Sequence, residues 1–153
     1  MSRFFKTAAL VSLAFLLYAC ASNPEKGVVN KSGEIDKEWT EQGITENYIF
    51  SRGIGAADQT LTNTTQRRAT SRDSAIVSAQ YNMLSLIKGV KLEGGITVEK
   101  AIETDSVLAT SIDATIKGAQ VVKDEWTADD GCVVVLRISK KALKEAGLKM
   151  PKE

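Results

Sequence analysis

From Asn47 to Ile54 the chain alternates, with Tyr48, Phe50, Arg52 and Ile54 on one side and Asn47, Ile49, Ser51 and Gly53 on the other, which predicts a strand. Gly53 and Gly55 bracket Ile54, so a bulge or the close approach of another backbone is expected where the strand ends. A lone Gly-x-Gly, without a third glycine or a phosphate-binding lysine, does not define a phosphate loop. Between residues 61 and 88 the period lengthens. Ala69, Ile76, Ala79, Met83 and Leu86/Ile87 recur every three to four residues, widened by Val77 and Leu84, with Thr62 or Asn63 as N-cap and Gly89 as the stop. One face of a long helix lying on a sheet is the expectation.

Period two then returns. Val90, Leu92, Gly94, Ile96 and Val98 alternate with charged and small residues, predicting a half-buried strand. Leu108, Thr110, Ile112, Ala114 and Ile116 alternate again and lead through Gly118 into Val121 and Val122. The stretch 105–116 also suits a short helix, but its Thr, Ile and Val content favours a strand. An Asp-Gly turn at Asp130-Gly131 precedes a run in which Cys132, Val134, Leu136 and Ile138 face one way and Val133, Val135 and Arg137 the other. Apolar character on both faces predicts a strand covered on both sides, centrally or at a subunit contact. Ser139 caps a short helix, Lys140 to Ala146, ended by Gly147. The order implies an α+β, two-layer fold: an antiparallel sheet of three to four strands, one long helix packed on one face (strand-helix-strand-strand type) and a short C-terminal helix.

The N-terminal pattern is of another kind. Arg3 and Lys6 precede an apolar run from Ala8 to Leu17, too short to span a membrane, and Leu17-Tyr18-Ala19-Cys20 follows. Residues 1–19 read as a signal peptide. Leu at −3, Ala at −1 and Cys at +1 resemble the bacterial lipobox, although Tyr18 is bulkier than the pattern prefers. That resemblance implies acylation of Cys20, which becomes the mature N-terminus, and the absence of Asp after it implies transfer to the outer membrane. Residues 20–43 read as a lipidated cysteine and flexible tether, and 44–153 as a single α+β domain. Trp39 is exceptional in a solvated tether, because a large aromatic side chain has something to pack against: the flank of the domain itself, or a neighbouring subunit.

Composition narrows the chemistry. The 153 residues carry 20 Lys+Arg against 19 Asp+Glu, and loss of the leader removes Arg3 and Lys6, so no charge excess points to nucleic acid. The chain has no histidine, the usual general base and the commonest zinc ligand. With Cys20 acylated, Cys132 has no intramolecular partner and reads as a small buried hydrophobe. The pairs Asp124/Glu125 and Asp129/Asp130 flank a turn, where exposed Asp is favoured, and match no EF-hand loop. Arg67, Arg68 and Arg72 near the start of the long helix read as a solvated face with Asp73 alongside. No catalytic residue, cofactor or metal site is expected.

Arg52-Gly53-Ile54-Gly55-Ala56-Ala57, Ile87-Lys88-Gly89-Val90, Ile116-Lys117-Gly118-Ala119-Gln120-Val121-Val122 and Glu125-Trp126 with the Asp-Gly turn together resemble a bacterial lipoprotein family. It is the family named after a twenty-kilodalton Helicobacter surface lipoprotein, and flagellar outer-membrane lipoproteins of the FlgP type are similar. The resemblance covers roughly residues 45–139 and transfers no catalytic residue. It implies a lipid anchor in the outer membrane, facing the periplasm, and a homo-oligomeric structural role in the envelope, in the flagellar branch as a ring or disk around the motor. Self-association contacts are expected in the apolar strand 132–138, through Val133 and Val135, in the hairpin around 94–106, or at Trp39. The alternative is a surface-exposed lipoprotein binding a host or small-molecule ligand.

Overall fold

Residues 43–151 are described in a computed structural model. The elements are β1 (Gly43–Ile44), β2 (Tyr48–Gly55), α1 (Thr64–Lys88), α2 (Val98–Thr104), α3 (Ser106–Lys117), β3 (Gln120–Trp126), β4 (Cys132–Ser139) and α4 (Lys140–Glu145). The four strands form one antiparallel sheet in the order β1-β2-β4-β3. β3 and β4 are a hairpin, while β2 pairs with β4 along its whole length, from Tyr48 opposite Ser139 to Gly55 opposite Cys132. The three helices between β2 and β3 carry the chain across to the far edge. The fold is α+β in two layers, as the periodicity predicts.

α1 starts where Asn63 accepts hydrogen bonds from the backbone N–H groups of Thr65 and Gln66, at 2.8 and 3.3 Å, and ends at Gly89. Its buried stripe is Ser71, Ala75, Ala79, Met83 and Ile87, and it lies on β2 and β4. Every step in that stripe is four residues, so the contact line is narrower than the sequence pattern suggests. Ala69 is exposed, and Val77 keeps 65% of its surface. The sheet meets the helix with Ile49, Cys132, Val134, Leu136 and Ile138. Leu143 of α4 and Leu148 close one end of this core.

Gly53 and Gly55 explain how close the two layers come. A Cβ on Gly53 would lie 2.0 Å from the carbonyl oxygen of Ala75 and 2.3 Å from the nitrogen of Ala79, and one on Gly55 would lie 1.9 Å from the carbonyl oxygen of Ser71. The close approach expected from this glycine pair is what the fold uses. Two polar side chains fasten the same seam: buried Ser51 donates a 2.8 Å hydrogen bond to the Ala79 carbonyl, and half-buried Asn82 a 2.7 Å bond to the Arg52 carbonyl.

Two predicted strands are absent. Val90 to Val98 alternates in sequence but does not join the sheet. Gly94 and Gly95, at φ +97° and +82°, turn the chain back so that Lys91 bridges Thr97, and Thr97 then caps α2. The hairpin expected around 94–106 is therefore this small turn followed by a helix, with Ile96 half exposed at its tip. Residues 108–116 lie in α3, not a strand. Asp105 accepts from the N–H groups of Val107 and Leu108, and Gly118 ends the helix. Leu108, Ile112 and Ile116 are spaced by four, a step that satisfies both a two-residue and a helical period. Thr110 and Thr115 return their hydroxyls to carbonyls one turn back, which fits them to the helix interior.

Candidate interaction surface

The face of the sheet opposite α1 has no helix over it among the described residues. From β2 it presents Tyr48, Phe50, Arg52 and Ile54, from β4 Val133, Val135 and Arg137, and from β3 Gln120, Lys123 and Glu125. β4 is central, as its two-sided apolar pattern predicts. Val133 and Val135 nevertheless have no exposed surface, so a contact made through this face would first meet Ile54, 48% exposed. Arg137 bonds Gln120 through its Nε and Nη2 and lies over the Tyr48 ring at 4.9 Å. Lys123 and Glu125, the β3 partners of Val135 and Val133, form an ion pair at 3.6 Å. Cys20 and Trp39 lie outside the described residues.

At the sheet's end nearer the start of α1, the structure corrects the reading of the charged residues. Arg67 grips Asp130 Oδ2 with Nε and Nη2, at 3.0 and 2.8 Å, and reaches the Leu61 carbonyl with Nη1. Arg68 holds the other oxygen, Oδ1, at 2.7 Å and lies over Trp126, while Arg72 bonds Asp124 at 2.6 Å. These are not a solvated face beside Asp73. Arg67 and Arg68 tie the β3–β4 turn, and Arg72 ties β3, to the first three turns of α1. Asp130 itself is only 8% exposed, not an exposed turn residue, and takes φ +65°, a conformation Asp tolerates. Ser71 completes the junction by donating to the Asp130 carbonyl at 2.8 Å. Sequence reasoning could have found the pairing only through opposite charges at positions 67–72 and 124–130, because the sequence alone does not bring them together.

The Asp130 carboxyl is held below the usual carboxylate range by hydrogen bonds from Arg68 and Arg67. Asp129 is lowered by the Thr127 hydroxyl, and Asp58 by that of Thr60. Depressed carboxylates stabilise the fold above the unfolded value of about 3.9, and that contribution is lost as pH falls through the lower folded value. Thermal melts are therefore expected to show stability falling below about pH 4. Asp130→Asn, which keeps the turn conformation, should melt lower than the parent at pH 7, with a smaller further drop between pH 5 and pH 3. Equal melting at pH 7 would show that the arginine clamp contributes nothing.

Cys132 is fully buried and free, and burial pushes its thiol up, which disfavours the reactive thiolate. Among the described residues no cluster of three or more His, Cys, Asp or Glu could hold a metal, and no helix is long and apolar enough to cross a membrane. A groove of about 900 Å³ opens at the other end of the sheet, where Tyr48, Ile49 and Val90 meet Lys140, Lys141, Lys144 and Met150. The helix–sheet seam offers no comparable space where Ala75 and Ala79 rest on Gly53 and Gly55. No family model, curated protein or solved structure matches the chain.

Proposed function

We propose that this is a non-enzymatic lipoprotein, anchored through acylated Cys20 in the outer membrane and facing the periplasm, where copies assemble into a structural element of the cell envelope. The observation that carries the reading is the basic, apolar and Leu-x-Ala-Cys succession of residues 3–20. The described domain supports it by what its polar groups do. The charged groups of the Arg67/Arg68/Arg72 cluster are engaged in joining the β3–β4 hairpin to α1, and the buried Cys132 thiol is disfavoured as a nucleophile. On the family resemblance, the assembly is a ring or disk around the flagellar motor, required for motility.

Deletion of the gene should impair motility or envelope integrity, and the protein freed of lipid should self-associate as its concentration rises in sedimentation experiments. A strict monomer at high concentration, together with a deletion strain of normal motility and envelope, would end this reading. The groove beside Lys140, Lys141 and Lys144 favours a second one, a surface-exposed lipoprotein that binds a ligand. Protease added to intact cells would degrade the protein in that case and spare it in the first.

A further inference from the structure

The two ends of the sheet carry opposite charge. β2 runs from Tyr48 to Gly55 and β4 returns from Cys132 to Ser139, so the groove beside Tyr48 and the loops that follow Gly55 and precede Cys132 lie a strand's length apart, roughly 25 Å. Those two loops form one surface, because Gln59 Nε2 donates to the Asp129 carbonyl oxygen at 2.8 Å. Asp58 and Asp129 are exposed on it beside the small residues Ala56, Ala57 and Ala128, and their carboxylates accept from the hydroxyls of Thr60 and Thr127. The nearby Arg67 and Arg68 are committed to Asp130. At the other end the groove of about 900 Å³ is lined by Tyr48, Val90 and Met150 and by Lys140, Lys141 and Lys144, against one lining carboxylate, Glu46.

We infer that copies of this chain dock head to tail, the Asp58 and Asp129 loops of one copy seated in the Lys140, Lys141 and Lys144 groove of the next. The inference rests on the proposed self-assembly and supplies its interface. Charge complementarity selects the occupant: a second copy presents carboxylates and small apolar side chains on one surface, which match the ammonium groups and the apolar lining of the groove. Charge also selects the arrangement. A two-fold contact at either end would set lysines against lysines or carboxylates against carboxylates, whereas joining unlike ends brings opposite charges together. A contact between unlike patches propagates, because each docked copy still offers its own groove to another. Such heterologous contacts close into rings or run on as filaments, according to the rotation between copies. The charges involved are exposed, so association should weaken with added salt and be largely screened at about 1 M, where the Debye length is roughly 3 Å.

The test is charge reversal at each end of the full-length gene product, followed by sedimentation in excess non-ionic micelles at low salt. One variant carries Lys141→Glu and Lys144→Glu, the other Asp58→Lys and Asp129→Lys. Each alone should lose roughly tenfold or more in association constant, because its two ends now repel. An equal mixture of the two should regain association, since the acidic loops of the first fit the intact groove of the second, and the new lysines of the second face the new glutamates of the first. Thermal melts check that each variant is folded. If the second variant melts early, Ala56→Lys with Ala128→Lys places the same charge at exposed residues that make no side-chain hydrogen bond and serves in its place. A parent that associates while both variants associate equally well, or a mixture that does not recover, would overturn this interface and leave the proposed assembly standing. A strictly monomeric parent would overturn both.

Discussion

Gly53→Ala is expected to leave the domain largely unfolded at 25 °C. The added Cβ would sit 2.0 Å from the Ala75 carbonyl oxygen and 2.3 Å from the Ala79 nitrogen, both backbone atoms in the middle of α1. No side-chain rotation can relieve such a clash. The 25-residue helix would have to lift from β2, pulling Ala75, Ala79 and Met83 away from the sheet. Overpacking that a core can absorb costs about 1–3 kcal/mol, and a forced separation of layers should exceed about 4 kcal/mol. Against a total stability of roughly 5–15 kcal/mol, that is enough to empty the native state or bring it close. Urea titration followed by circular dichroism reads the effect. Gly89→Ala is the matched control, since Gly89 is in right-handed helical conformation and its Cβ would meet nothing nearer than 3.6 Å. That variant should be neutral or stabilised by about 0.4–1 kcal/mol. A Gly53→Ala protein as stable as the control would contradict the described seam between helix and sheet.

Cys20→Ser carries the second large effect, on location and not on folding. The proposed anchor depends on one sulfur atom. A serine there cannot take the thioether-linked lipid, and cleavage after Ala19, which follows acylation in the lipobox pathway, should fail with it. The variant should incorporate no palmitate and should run as the uncleaved chain, absent from the outer-membrane fraction. The folded domain should melt as the parent does, because position 20 lies 23 residues before the first described strand residue. Fractionation with metabolic lipid labelling decides it. Lipid label retained by the serine variant would remove Cys20 from its assigned role.

The strands β2 and β4, the long helix and its Asn63 and Gly89 ends are legible in the sequence because each rests on a local rule: alternation, a four-residue apolar step, or a cap. The two lost strands failed for definable reasons. Leu108, Ile112 and Ile116 are four apart, so alternation and helix score alike, and the Asp105 cap and Gly118 stop decide for the helix. In the stretch 90–98, alternation persists through Gly94 and Gly95, whose positive φ values reverse the chain. The candidate surface was harder to read. That Val133 and Val135 belong to a doubly covered strand follows from their pattern, but that Arg67 and Arg68 share one carboxylate follows only from folding, which brings positions 63 and 62 residues apart to within 3 Å.

Native mass spectrometry of the full-length gene product, released in detergent from the outer membrane of its own cells, tests anchor and assembly in one measurement. The account predicts complexes of several copies, each subunit weighing residues 20–153 plus the mass of its acyl chains. A single unacylated copy, or one that retains residues 1–19, would contradict it.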